Sequence, residues 1–60
     1  MTLKAARTNK GMSVAQVSKA LNVHPNTVWA WENGSHEITA KKFLELCKLY
    51  EQPVDNIFLP

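Results

Sequence analysis

The feature that most constrains the fold is a helix-start signal that recurs three times within 60 residues. In each case two apolar residues stand five positions apart, at the entry to a predicted helix: Met12 and Val17, Val23 and Val28, and Ile38 and Phe43. These are the N′ and N4 positions, where a hydrophobic contact fixes how the chain enters a helix. Ser13 and Gln16 add the S-x-x-Q pattern of a capping box to the first of them. The sequence therefore predicts a chain built of short helices.

Residues that stop helices divide the chain at Gly11, Gly34 and Pro53. Between them apolar residues recur at helical spacing, and no stretch alternates as a half-buried strand would. The predicted elements are helices over residues 3–9, 14–20, 25–33 and 40–51 and a last turn over roughly 54–58. The predicted fold class is all-α, a compact domain of five short helices without a sheet.

The residues at the predicted helix boundaries support these limits. Thr2, Ser13 and Thr39 are good N-caps, whereas His24 takes a cap position that Ser or Thr would fill better. Asn22 tolerates the left-handed conformation in which a helix commonly ends. We therefore expect the second and third helices to be joined by a tight turn, from about Leu21 to His24.

The size of the chain limits what it can do. Sixty residues are predicted to form a single domain over 1–60, which buries only roughly 60% of the surface that its unfolded form exposes. No apolar run of about 18 residues predicts a membrane span, and no leader-like opening predicts a signal peptide. One cysteine and two histidines are too few for a disulfide or a structural zinc site. We expect no enzyme activity, cofactor, metal or small-molecule substrate, and Cys47 is predicted to be a core residue.

Charge is distributed unevenly along the chain. Residues 1–31 contain one arginine and three lysines and no acid, whereas residues 32–60 contain three lysines and five acids, a balance of 3 − 5 = −2. A basic half beside an acidic half is typical of a domain with one face for a polyanion. The alternative is a domain whose surface charge is merely uneven.

Two short helices joined by a tight turn, over about 13–33, fit a helix-turn-helix. On the second of them, Asn26, Ala30 and Asn33 share the face opposite the apolar one, and Trp29 flanks it. Asn can bond adenine through two hydrogen bonds, and a helix fits the major groove of DNA. Both helices are expected to begin with free N–H groups that can hold phosphates. The alternative is a helical hairpin whose Asn26 and Asn33 are only solvated.

The chain resembles the phage repressor and Cro superfamily of helix-turn-helix proteins. The residues that carry this likeness are MSVAQVSKALNVHPNTVWAWENG at 12–34, followed by F-x-x-L-C-x-x-Y and V-D-N-I-F within 39–58. The resemblance implies a five-helix domain that binds a double-stranded DNA operator, usually as a homodimer on a palindrome. It implies a transcriptional regulator of phage or prophage type, a Cro-like protein, an excision or lysogeny regulator or an antitoxin, located in the cytoplasm of a bacterial or infected cell.

The resemblance also assigns roles to individual positions. The residues implied or considered to read bases on the third helix are Pro25, Asn26, Thr27, Trp29 and Ala30. The residues expected at phosphates are Ser13, Val14, His24, Asn33, Lys10, Lys41 and Lys42. Arg7 and Glu32 match a buried ion pair seen in several relatives. Val14 replaces a frequent glutamine of the family, so only its backbone N–H remains as a donor.

A rival interpretation assigns the same helical fold to a protein-interaction module. In that case Trp29 and the leucines off the main apolar stripe, Leu44, Leu49 and Leu59, would form the contact with a partner. These leucines fit a dimer interface, and they fit the edge of a small core equally well.

Overall fold

The computed structural model describes residues 1–60 and contains four α-helices and no strand. The helices are α1, Leu3–Asn9; α2, Val14–Leu21; α3, Pro25–Asn33; and α4, Ala40–Tyr50. A single 3₁₀ turn, Val54–Asn56, follows α4. The all-α prediction and the positions of the four helices are confirmed, with boundaries that differ from the predicted ones by at most one residue.

Every α-helix begins at the side-chain cap that the sequence predicts: Thr2, Ser13, His24 and Thr39. The capping box of α2 is complete, since the Gln16 N–H donates to Ser13 Oγ at 3.1 Å and the Ser13 N–H donates to Gln16 Oε1 at 2.7 Å. These bonds satisfy donors that helix geometry leaves without an intrahelical partner. Local side-chain chemistry therefore sets each helix start.

The helices end in left-handed residues. Asn22 lies at φ 57°, as the sequence predicts, and Gly34 follows α3 at φ 76°. Glu51 also lies at φ 57°, so α4 ends at Tyr50, one residue before its predicted end. The Glu51 carboxylate accepts a bond from Lys10 Nζ at 2.7 Å, and this ion pair joins the ends of α1 and α4. The hydrogen bond to Lys10 lowers the pKa of Glu51.

The prediction of a fifth helix is wrong. After the 3₁₀ turn the backbone is extended at Ile57, and the Phe58 N–H donates to the Met1 carbonyl at 3.0 Å. Successive side chains of an extended segment point to opposite sides, and accordingly Ile57 is buried while Phe58 is 63% exposed. Val54, the first residue of the 3₁₀ turn, is 45% exposed. The predicted last turn is therefore a 3₁₀ turn over Val54–Asn56, and a backbone contact with the start of the chain replaces its continuation.

The core contains side chains from all four helices and from the tail. Its buried apolar residues are Leu3, Ala6, Val14, Val17, Leu21, Val28, Trp31, Leu46, Cys47, Tyr50 and Ile57. The entry residues Met12, Val23, Ile38 and Phe43 are half-buried and pack against this core. In this arrangement α2 packs against both α3 and α4, and α1 packs against α3. The shared core holds α2 and α3 in a fixed relation to each other.

None of the helices has both the length and the apolar character needed to cross a lipid bilayer.

Candidate nucleic-acid interface

The turn between α2 and α3 is fixed by its own backbone and by α4. The Val23 N–H donates to the Ser18 carbonyl at 2.9 Å, and the half-buried Val23 side chain packs on the core. Lys42 of α4 reaches the last carbonyl of α2, at Leu21, with its Nζ atom 3.5 Å from the oxygen. The two helices therefore form a rigid helix-turn-helix that presents one side of α3 to solvent.

The exposed side of α3 is formed by Asn26, Trp29 and Asn33. These residues follow i, i+3 and i+7, so they lie along one face of the helix. Among the other residues expected to read bases, Pro25 is exposed beside this face, whereas Thr27 and Ala30 are half-buried. The centre of the face is therefore Trp29, which the sequence places at its flank, and not Ala30. We call these three residues and Pro25 the outer face of α3.

The outer face of α3 carries no charge. The one ionisable residue within α3 is Glu32, whose side chain is only 4% exposed. Arg7 Nε donates to Glu32 Oε2 at 2.7 Å, and Arg7 Nη2 donates to Oε1 at 3.3 Å. Arg7 Nη1 donates to the Met12 carbonyl at 3.1 Å. The structure thus brings Arg7 and Glu32 together as a bidentate ion pair that joins α1 to α3.

The environment of Arg7 favours its charged form. Hydrogen bonding to Glu32 is the main cause that raises the pKa of Arg7, and burial acts in the opposite direction. The same guanidinium lies beside the indole of Trp29, with Cζ 5.8 Å from the ring centroid. Sequence reasoning missed this cation–π contact. The sequence contains one indication of this contact. Trp29 and Glu32 are at i, i+3 spacing, which puts the ring and the carboxylate that binds Arg7 on neighbouring positions of α3.

The N-termini of α2 and α3 differ in their free donors. In α2 the capping box occupies the Ser13 N–H, and the N–H groups of Val14 and Ala15 have no protein acceptor. Of the two sequence candidates at this end, Val14 therefore offers a backbone donor and Ser13 does not. The positive end of the helix dipole also favours an anion there.

At the start of α3 the expectation of free N–H groups is wrong. The Asn26 N–H donates to His24 Nδ1 at 3.1 Å, and the Thr27 N–H donates to the His24 carbonyl at 2.9 Å. Pro25 has no N–H to offer. His24 therefore acts as the cap, and in its neutral form the proton lies on Nε2, which points away from the cap as a free donor.

The three lysines expected at phosphates are in different situations. Lys10 pairs with Glu51, as described above, and Lys42 Nζ lies 3.3 Å from Glu45 Oε2. Lys41 is exposed and forms no ion pair. Sequence spacing does not assign these partners, because Glu45 is at helical spacing from both Lys41 and Lys42 and Lys10 finds its partner 41 residues away in the chain. Lys41 is the one of the three whose charge is not already neutralised.

The remaining candidates fall into the core or onto the surface. Cys47 is buried, and burial raises the pKa of its thiol, so it has the character of a core residue and not of a nucleophile. Leu49 is half-buried and packs against the core. Leu44 and Leu59 are 55% and 45% exposed. No group of three His, Cys, Asp or Glu side chains lies close enough to hold a metal ion.

Comparison with known proteins agrees with this geometry. A family model described as helix-turn-helix matches residues 3–57, which include all four helices and the 3₁₀ turn. Neither the curated proteins nor the solved structures contain a significant match to the chain. Because the family model covers nearly the entire sequence, the chain belongs to the Cro/C1-type helix-turn-helix family of DNA-binding regulatory domains.

Proposed function

We propose that the protein is a sequence-specific double-stranded DNA-binding transcriptional regulator that inserts α3 into the major groove. The observation that carries the proposal is the outer face of α3, where two exposed amide side chains stand on a helix held rigidly by the core. A single α-helix fits the major groove, and amides can bond to base edges there. Family membership supports the same reading.

Phosphate contacts would fix the position of α3 on the duplex. The free N–H groups of Val14 and Ala15, the exposed Asn33 and the unpaired Lys41 are the donors available for this work. His24 adds its Nε2 atom next to the start of α3. Contacts of this kind set register and supply affinity without reading sequence.

We further propose a Cro-like or repressor-like regulator of phage or prophage type that binds a palindromic operator as a homodimer. One recognition helix reads only a few base pairs, so useful specificity needs two half-sites about one helical turn apart. Exposed apolar side chains of the tail, Val54, Phe58 and Leu59, are available for a contact between protomers. Sedimentation with a selected site should show two chains per duplex. A single chain per duplex at saturation would contradict the dimer and leave DNA binding intact.

The experiment that tests DNA binding is random-site selection with the purified chain. The selected and a scrambled duplex are then titrated by fluorescence anisotropy at several salt concentrations. We expect an enriched motif. We also expect the logarithm of the affinity to fall linearly with the logarithm of the salt concentration, with a slope of about −0.9 for each phosphate contacted.

The same titration separates the rival function, a protein-interaction module. That rival is supported by the exposure of Leu44 and Phe58, at 55% and 63%. Apolar association does not weaken as a power of salt concentration, because no counterions are released. Failure to enrich any motif, together with no salt-dependent binding to either duplex, would overturn the proposed function.

A further inference from the structure

We infer that α3 selects A·T base pairs, with Asn26 bonded to an adenine and Trp29 packed against the methyl group of a thymine. The inference rests on the proposed function, since it names the class of half-site that the outer face of α3 recognises.

The groups presented match A·T pairs. Asn26 lies in the first turn of α3 and is exposed, and an Asn amide can donate to adenine N7 and accept from its N6 amino group. Pro25 and Trp29 place exposed apolar surface beside Asn26. The C5 methyl of thymine is the apolar feature of the major groove edge, so these side chains complement thymine and no other base.

The groups that read G·C pairs are missing. Guanine is read through O6 and N7 by Arg or Lys, and cytosine N4 by a carboxylate. The chain contains one arginine, Arg7, and all three of its nitrogen atoms already donate to Glu32 or to the Met12 carbonyl. Glu32, the one acid of α3, is buried in the same pair. Because α3 also contains no Lys, the outer face has neither a cationic side chain for guanine nor a carboxylate for cytosine.

Trp29 is held in place before DNA arrives. Trp29 is 46% exposed, and the guanidinium of Arg7 lies 5.8 Å from its ring centroid. Because Arg7 is itself hydrogen-bonded to Glu32 and to the Met12 carbonyl, the indole packs against a group that is already held in place. Ordering a large side chain in advance lowers the conformational cost of binding. Trp29 thus presents a fixed apolar surface to the groove.

The test uses the motif obtained by random-site selection and duplexes in which single bases carry an altered atom. Replacing one thymine by deoxyuridine removes only the C5 methyl, and at the position facing Trp29 we expect binding to weaken about three- to fivefold. Replacing one adenine by 7-deazaadenine removes the N7 acceptor, and at the position facing Asn26 we expect a loss of about tenfold.

Three variants connect these losses to the residues. Trp29→Ala should bind the thymine and deoxyuridine duplexes equally, whereas Trp29→Phe, which keeps an apolar ring, should retain the difference. Asn26→Ala should bind the adenine and 7-deazaadenine duplexes equally, and it should still bind the deoxyuridine duplex more weakly than the thymine duplex. The Phe variant ensures that a Trp29→Ala chain that fails to fold does not decide the outcome.

Other outcomes overturn the inference and leave the proposed function standing. A selected motif with G·C pairs opposite α3 would do so. An A·T motif that binds the modified duplexes as tightly as the unmodified one would also do so, because selection would then act through DNA shape. If no motif is enriched at all, it is the proposed function that fails.

Discussion

Arg7 and Glu32 form a bidentate ion pair, with 2.7 Å between Nε and Oε2, that connects α1 to the helix proposed to enter DNA. Both side chains are largely removed from solvent, at 12% and 4% exposure. The pair is therefore a structural link inside the domain, and the exposed outer face beside it on the same helix carries no charge. Trp29, at the centre of that face, lies against the guanidinium of Arg7.

Replacing Glu32 by Gln should strongly destabilise the fold. It would leave the Arg7 charge buried without its partner, which costs about 3–5 kcal/mol when burial is nearly complete. A small domain has a total stability of roughly 5 kcal/mol, so the variant should retain at most about 2 kcal/mol and lie close to its unfolding transition at room temperature. Urea denaturation followed by circular dichroism measures the change.

The matched control is Glu45→Gln, which removes the exposed partner of Lys42, 3.3 Å away. Exposed pairs contribute about 0–1 kcal/mol, so this variant should stay close to the unsubstituted protein. A Glu32→Gln chain that melts within about one or two degrees of the original would show that the pair does not stabilise the fold.

The helix starts and most helix ends could be predicted because their causes are local. Ser13 and Gln16 are three residues apart, and the left-handed Asn22 directly follows its helix. What the sequence did not reveal depends on residues distant in the chain. The Phe58 N–H finds the Met1 carbonyl, and Lys10 finds Glu51. No spacing rule relates such positions, so the fifth helix was predicted wrongly.

At the candidate interface, too, features with local causes could be predicted from the sequence, and features that depend on packing could not. The amides of α3 could be placed on one face from helical periodicity alone. The sequence does not predict that the N–H donors at the start of α3 are occupied. His24 is an unusual cap, and the hydrogen bond from the Asn26 N–H to its Nδ1 atom is visible only in three dimensions. The support of Trp29 by Arg7 likewise requires the packing of α1 on α3.

Tyr50 should make the stability depend on pH in alkaline solution. Its side chain is 3% exposed, and burial, followed by the nearby charge of Glu32, raises the pKa of Tyr50 from 10.0 to about 12. The fold therefore favours the neutral phenol. This contribution is complete below pH 10 and is lost as the pH rises through 12, by roughly 3 kcal/mol in all at about 1.4 kcal/mol for each pKa unit.

The measurement for Tyr50 is the free energy of unfolding between about pH 9 and 12, compared with that of Tyr50→Phe. The Phe variant keeps the ring in the core and has no group to titrate, so the difference between the two proteins isolates the phenol. We expect the two curves to diverge above pH 10, where the unsubstituted protein loses more stability. Parallel curves would contradict the assignment.

Asn26 and Asn33 should differ in what they contact, although they share one face of α3. Asn26 lies in the first turn, which enters a groove most deeply, whereas Asn33 is the last residue of the helix. Asn26→Ala should cost about 1–3 kcal/mol on the selected duplex and little on a scrambled one. Asn33→Ala should weaken both duplexes alike, as expected for a phosphate contact. Equal losses for Asn26→Ala on the two duplexes would assign Asn26 to the backbone, and base reading would pass to Trp29 and Thr27.

Lys41 and Lys42 are adjacent and should nevertheless contribute differently to the salt dependence of binding. The charge of Lys42 already faces Glu45 at 3.3 Å and the Leu21 carbonyl at 3.5 Å, whereas Lys41 is unpaired and exposed. An unpaired lysine at a phosphate releases a counterion, so Lys41→Ala should lower the slope of log affinity against log salt by about one. Lys42→Ala should lower it less, because Glu45 competes with the phosphate for that ammonium group. Anisotropy titrations of both variants on the scrambled duplex measure the two slopes. A larger change for Lys42→Ala than for Lys41→Ala would mean that DNA draws Lys42 away from Glu45 and that the pair does not persist in the complex.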